Sequence, residues 1–205
     1  MRSAGSVDAS AMYPRNGSRE ETNKFEAMYR RDRDPWRFRT SSYERRRYAQ
    51  TMASLSQARY RYAFEPGCSI GELTALLAPR CDRVLATDVS LTAARLAVLK
   101  CAEFPGVEIQ CADLRQSIPL GPFDLTLMSE LGYYFEKDAL AIFAQRLAAR
   151  LADGGELIAV HWLGDSADHA LHGDEVHQVL LGALPMRWIG GRRFEGFRID
   201  SWKKA

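Results

Sequence analysis

The chain has 205 residues, 46% of them hydrophobic and 26% charged, with 28 Lys+Arg against 26 Asp+Glu. That length and apolar content suit one domain with a real core, and the near balance of charge argues against a nucleic-acid or anionic-membrane partner. No run approaches the ~20 apolar residues of a bilayer span, and the first residues lack the apolar centre of a signal peptide, so the expected location is the cytoplasm.

In chain order, residues 1–17 are expected to lack fixed structure. Residues 18–58 read as a helical segment ahead of the core, which the family resemblance described below makes a lid. Within it, one helix is predicted from about Ser18 to Arg31, with Phe25, Met28 and Tyr29 on one face, ended by Asp34-Pro35. A second runs from about Ser41 to Ser56, with Tyr43, Arg47, Gln50 and Ser54 along one side. From Arg59 to the C-terminus short β-rich runs alternate with helices. The predicted strands are Tyr60–Glu65, Arg83–Asp88, Val107–Cys111, Phe123–Ser129 and Glu156–Trp162. The predicted helices are Gly71–Ala78, Leu91–Glu103 with Ser90 as cap, and Glu136–Leu151, which Asp153-Gly154-Gly155 ends. A helix from about Gly173 to Leu181 follows, then strands Pro185–Ile189 and Phe194–Trp202, with Gly190-Gly191 read as a hairpin connection. This is an α/β, Rossmann-like domain with a mainly parallel sheet, an antiparallel C-terminal edge hairpin and N-terminal lid helices. Cys68, Cys81, Cys101 and Cys111 form no CxxC pair and read as buried free thiols, with no disulfide.

The loop after the first strand, Phe64-Glu65-Pro66-Gly67-Cys68-Ser69-Ile70-Gly71, is the most informative stretch. A dinucleotide loop would read GxGxxG and place pyrophosphate on a helix N-terminus. Here the spacing is GxxxG and an acid precedes it, which suits a cationic ligand better than a phosphate. Gly67 lets a ligand approach the main chain, and Gly71 allows close packing where the helix leaves the sheet. Taken alone, the loop is equally an ordinary βα turn. Its neighbours favour a ligand: Asp88 ends the second strand, placed to accept from two ribose hydroxyls, and Asp113, beside Leu114, follows the third, placed to accept from an adenine amino group.

With three acids at successive strand ends, the stretch from about Arg59 to Trp202 resembles the class I S-adenosylmethionine-dependent methyltransferases. The resemblance implies S-adenosylmethionine as cofactor, S-adenosylhomocysteine as product, and no metal. It implies that Glu65, Gly67 and Gly71 cradle the methionine part, that Asp88 holds the ribose and that Asp113 contacts adenine. Ser69 departs from the family's middle glycine and calls for a less extreme backbone there.

The fourth strand ends in Met128-Ser129-Glu130-Leu131-Gly132-Tyr133-Tyr134-Phe135, which in the family lies under the transferable methyl, so Ser129 is a candidate cofactor contact. Glu130 is the leading candidate to bind a substrate amine, with a helix-capping acid as the plain alternative. His161 could relay a proton, although a lone histidine is more often structural. Tyr133, Tyr134, Phe135 and Trp162 offer faces for ring substrates, with Phe135 expected in the core. His169, His172 and His177 have no carboxylate pattern that would make a metal site.

The string DPWRFRTSSYERRRYAQTMASL resembles the nodulation protein S family of rhizobial N-methyltransferases, as do the motifs above. That resemblance implies methylation of the free amine of the non-reducing-end glucosamine of a deacetylated chitooligosaccharide. It also implies a lid over the cofactor, for which Trp36 and Tyr43 are candidates, with Arg39 pairing with the methionine carboxylate. A nucleic-acid reading of this Arg- and aromatic-rich stretch fails because Asp32, Asp34 and Glu44 interrupt it. The competing readings are a methyltransferase for another small amine or thiol, a nicotinamide oxidoreductase, and a non-catalytic cofactor-binding module. Nothing in the sequence speaks to oligomeric state.

Overall fold

The computed structural model describes residues 15–205, with side chains from Arg19 onward. Residues 1–14, most of the stretch expected to lack fixed structure, lie outside the described residues. Two helices come first, α1 (Arg15–Arg31) and α2 (Ser42–Ala53), the latter capped by the Ser41 side chain accepting from the Glu44 N–H. The core then alternates β1 (Tyr60–Pro66), α3 (Glu72–Leu77), β2 (Cys81–Asp88), α4 (Leu91–Lys100), β3 (Val107–Cys111), β4 (Phe123–Ser129), α5 (Lys137–Ala149) and β5 (Leu151–Trp162). It closes with α6 (Gly173–Ala183), β6 (Arg187–Arg193) and β7 (Phe197–Lys203).

The sheet has seven strands in the order β3-β2-β1-β4-β5-β7-β6. β7 runs antiparallel to β5 and to β6, and the other pairs are parallel. Because side chains alternate across a strand, the central strands feed two cores. Phe64, Leu85, Met128, Leu157 and Ala159 pack with Leu140, Phe143 and Leu147 of α5 and Val176 and Leu180 of α6. Ala63, Val84, Ala86, Leu127, Ile158 and Val160 pack on the other face with Tyr48 of α2, Leu73 and Leu77 of α3 and Ala97 of α4. No helix is long and apolar enough to cross a membrane among the described residues.

Three expectations need correction. Asp153-Gly154-Gly155 does not end α5; that helix stops at Ala149 and β5 already begins at Leu151, which pairs with Phe123 and is buried. The irregularity the glycines produce is a shift in register between Phe123 and Leu125. Nor is Gly190-Gly191 the hairpin turn. Both lie within β6, facing Ser201 and Asp200, and the chain turns at Phe194–Gly196, where Gly196 has φ 87°. A glycine pair marks close backbone approach as readily as a turn. Finally, Cys68, Cys81 and Cys101 are buried thiols, but Cys111 is exposed, since β3 is an edge strand.

The order reverses between β1 and β4: the chain moves outward through β2 and β3, then returns to the other side of β1. Loops after β1 and β4 therefore diverge from a common crevice at the strands' C-terminal ends, where open α/β sheets bind ligands.

Candidate active site

A cavity of about 460 Å³ opens at that crevice, roofed by Phe25 and Tyr29 of α1 and by Trp36 and Phe38 of the following turn. α1 is tied across it at several points. Glu26 accepts from the Thr92 N–H and from the hydroxyls of Ser90 and Thr92 at the start of α4. Burial works against its charge, but those bonds prevail and hold it down to about 2. Lys24 meets Asp168 at 2.6 Å, Glu21 pairs with Arg115, and the Tyr29 hydroxyl lies 2.5 Å from that of Ser69.

The loop after β1 carries two left-handed glycines and one left-handed serine: Gly67 at φ 76°, Ser69 at φ 52° and Gly71 at φ 81°. Ser69 thus adopts a conformation a side chain disfavours, contrary to the milder backbone expected there. It is held by its N–H, which donates to Asp88 Oδ2 at 2.8 Å, and by Tyr29. Gly67 lines the cavity. Gly71 does not; it sits at the N-terminus of α3, where a Cβ would come 2.9 Å from the Ala97 Cα. Glu65 also lies off the cavity, only 2% exposed, with Oε2 lacking a hydrogen-bond partner. Burial pushes its carboxyl up to about 8.

Asp88 does line the cavity. Its Oδ1 accepts from the Ser90 N–H at 2.9 Å and its Oδ2 from Ser69, and burial pushes it up to about 6. Asp113 and Leu114 line the adjoining wall. The lining carries five carboxylates, of Glu44, Asp88, Asp113, Glu130 and Asp165, and one guanidinium, Arg115, which is already paired with Glu21. Glu44 and Glu130 share Arg47 behind the wall, and the acidic excess that remains favours a cationic ligand and disfavours a pyrophosphate.

At the end of β4, Glu130 takes the left-handed conformation, φ 56°. Its Oε1 accepts from the Trp162 N–H at 2.8 Å and lies 3.1 Å from Arg47 Nη1, and its Oε2 accepts from the Tyr133 hydroxyl at 2.8 Å. Arg47 is 1% exposed; it also pairs with Glu44 and donates to the Ser129 hydroxyl at 2.9 Å. Burial opposes its charge, but Glu130 and Glu44 more than hold it. Tyr133 stacks on His169 with ring centroids 3.7 Å apart.

The predicted residues therefore divide. Trp36, Tyr43, Gly67, Asp88, Asp113, Leu114, Glu130 and Tyr133 converge on one cavity, with the Tyr43 hydroxyl anchored to the Gly196 carbonyl at 2.9 Å. Glu65, Gly71, Arg39, Ser129 and His161 do not line it. Arg39 lies off the cavity, 3.3 Å from Glu72. Ser129 is turned to Arg47. His161 is fully buried and both ring nitrogens are engaged, Nε2 with the Gly132 N–H and Nδ1 with His177, so it is not a proton relay to substrate. Sequence reasoning missed Arg47, Arg115 and His169. Arg47 hides in the run Arg45-Arg46-Arg47, and only its spacing from Glu44, one helical turn back, marks it out.

The family model for Nodulation protein S matches residues 20–162. The chain belongs to the nodulation protein S family. Curated relatives include the Nodulation protein S of Sinorhizobium fredii, 31% identical over 142 residues, which are 67% of this chain and 66% of that protein. That of Bradyrhizobium diazoefficiens is 32% identical over 61% of each. The match thus spans just under two thirds of these relatives' length. Among solved structures, a protein of Pseudomonas syringae described as a candidate methyltransferase is 36% identical with a TM-score of 0.69, over 80% of this chain and 100% of that one. The N-methyltransferase NodS from Bradyrhizobium japonicum WM9, solved with S-adenosylhomocysteine, has a TM-score of 0.77 at 23% identity, over 91% of this chain and 98% of that one, a likeness of fold. The fold is that of the class I methyltransferases.

Proposed function

We propose that this member of the family is an S-adenosylmethionine-dependent N-methyltransferase whose acceptor is the free amine of the non-reducing-end glucosamine of a deacetylated chitooligosaccharide. The observation that carries the reading is the acidic cavity at the switch point of the sheet. The cofactor brings positive charge, and neither it nor an amino-sugar acceptor brings phosphate. The residues present fit the cofactor: Asp88 keeps lone pairs beyond the two backbone donors that fix it, and Gly67 leaves the loop main chain approachable. A nicotinamide dinucleotide is disfavoured, because the one guanidinium in the lining is committed to Glu21.

When bound, S-adenosylmethionine supplies an electrophilic methyl on a sulfonium that becomes a neutral thioether on transfer. The protein's work is then alignment and water exclusion, and alignment is worth up to ~7–11 kcal/mol. Asp88 and Asp113 hold the nucleoside end, and Trp36, Phe25 and Tyr29 cover the cavity from solvent. Glu130, clamped by Arg47, Tyr133 and the Trp162 N–H, presents what remains of its acceptor capacity to the amine. Three donors fix the Glu130 carboxylate in place, so its part is to orient a neutral amine. Adjacent hydroxyls lower the basicity of an amino sugar, leaving an appreciable neutral fraction near neutral pH. His169, stacked on Tyr133, and Trp162 offer faces for the sugar ring.

Titration calorimetry with S-adenosylhomocysteine, followed by a methyl-transfer assay on fully and partly deacetylated chitooligosaccharides, tests the reading. Binding with transfer to the terminal amine supports it; binding without transfer removes the acceptor, and no binding removes the whole proposal. In Glu130→Gln the acceptor's KM is expected to rise while the pH profile of kcat keeps its shape. A lost alkaline or acidic limb would make Glu130 the base instead.

A further inference from the structure

Behind the cavity a chain of buried polar groups runs from the sheet's antiparallel edge to the active-site turn. Asp200 of β7 and His177 of α6 meet at 2.6 Å through Oδ2 and Nδ1. His177 Nε2 lies 3.2 Å from His161 Nδ1, and His161 Nε2 accepts from the Gly132 N–H at 3.0 Å. His161 and His177 are 0% exposed and Asp200 is 1% exposed. A backbone N–H can only donate, so His161 Nε2 carries no proton and its proton sits on Nδ1. That proton points at His177 Nε2, which must accept, leaving the His177 proton on Nδ1 for Asp200. Every donor in the chain therefore has one orientation, set by a carboxylate at one end and a peptide N–H at the other.

The surroundings are shaped to this chain. At Gly132 a Cβ would come 2.9 Å from His161 Nε2 and 2.5 Å from Val176 Cγ1. At Gly191 a Cβ would fall 1.8 Å from Asp200 Oδ1. Asp200 is fixed further by Arg198 Nε at 2.6 Å on Oδ2 and by Trp188 Nε1 at 3.1 Å on Oδ1. Gly132 begins the short 3₁₀ turn that carries Tyr133, whose hydroxyl holds Glu130.

We propose that Asp200, His177 and His161 form a positioning relay that fixes the Gly132–Tyr134 turn, and through Tyr133 the carboxylate of Glu130, for alignment of the acceptor; this rests on the function proposed above. The relay tolerates only neutral histidines, since a proton on His161 Nε2 would face the Gly132 N–H. In line with this, burial and then the neighbouring His177 hold His161 well below the ordinary histidine value. Burial likewise lowers His177, against the pull of Asp200.

The test combines nitrogen NMR of ¹⁵N-histidine-labelled protein, amide exchange at Gly132, and kinetics. Both His161 and His177 are expected in the Nδ1–H form, which is the minor form of free imidazole in water. In Asp200→Ala the Nδ1–H signature of His177 is lost, its Nε2 no longer holds the His161 ring in place, and exchange at Gly132 speeds up. kcat then falls by about ten- to a hundredfold, the scale of a small misplacement of an aligning group. The KM for S-adenosylmethionine and the Kd for S-adenosylhomocysteine stay within about threefold, since the loops after β1 and β2 are untouched. Asp200→Asn keeps an oxygen between His177 and Arg198 and so keeps the His177 signature, and His177→Gln keeps an acceptor for His161 and so keeps the His161 signature; both retain most of kcat, and serve if the alanine variant fails to fold. An Nε2–H or protonated His161 in the native protein at neutral pH overturns the relay. So does an unchanged kcat once the signature is lost, or a parallel loss of cofactor affinity. If the native protein neither binds S-adenosylhomocysteine nor transfers methyl, the functional reading fails, while the imidazole spectra and Gly132 exchange still decide whether the relay holds the turn.

Discussion

Glu65→Gln separates an interior carboxyl from a cofactor ligand. Glu65 is 2% exposed, its Oε2 has no partner, and burial lifts it from an ordinary 4.5 to about 8. At about 1.4 kcal/mol per pH unit, ionising it in place costs roughly 5 kcal/mol. Its folded pKa lies above the unfolded one, so the folded chain binds the proton more tightly. The stability contributed by the neutral carboxyl is therefore complete below about pH 4.5 and is lost progressively as pH rises towards about 8. Glutamine has the same shape and no charge to bury, so its stability lacks this slope. Between about pH 6 and about pH 9 the native protein should lose about 2–3 kcal/mol relative to the variant. Urea unfolding of both proteins across that range measures the difference. A constant gap, or one that narrows in the variant's disfavour, would refute the reasoning. Because Glu65 lies off the cavity, the variant's affinity for S-adenosylhomocysteine at pH 7 should stay within about threefold; a tenfold loss would return Glu65 to the cofactor site.

Arg47→Met leaves Glu44 and Glu130 without their shared cation, and unfolding should show a loss of about 3–5 kcal/mol; a loss under about 1 kcal/mol would mean the cluster is not held by Arg47. Asp88 titrates near 6 in the free protein, and its ionised form is the better acceptor for ribose hydroxyls. Calorimetric affinity for S-adenosylhomocysteine should therefore rise between about pH 5 and about pH 7 and then level off, a slope absent in Asp88→Asn. Gly71→Ala combines φ 81° with a Cβ 2.9 Å from the Ala97 Cα, and should lower stability by several kcal/mol with thermal unfolding as readout; a variant as stable as the native protein would show that α3 and α4 can part freely.

The alternation of strands and helices was legible because a parallel sheet covered on both faces needs it: β3 and β4 fall at the predicted residues, and the other core strands differ only at their ends. Asp88, Asp113 and Glu130 were legible as cavity residues because each ends or follows a strand where the crevice lies, whereas Glu65, one residue short of the end of β1, turns into the interior. Failures came where one residue type answers two physical demands. Gly190 and Gly191 read as a turn but serve close packing against β7, and Asp153-Gly154-Gly155 reads as a helix stop but shifts a strand's register. His161 lies at the C-terminal end of β5, and Glu130 follows that of β4, yet the His161 ring turns inward to His177 while the Glu130 carboxylate remains at the cavity.

The order of apolar and turn residues by itself determined the α/β sheet, its crevice and the acids delivered there, since these follow from periods of 2 and 3.6 and from chain direction. Only the tertiary structure decided which side chains face ligand and which face protein. Arg47 meets Glu130 across 83 positions and His161 meets Asp200's partner across 16, distances over which no local pattern carries information. Such pairs form because a buried charge or ring nitrogen must find a partner within the folded interior, and the identity of that partner is set by packing alone.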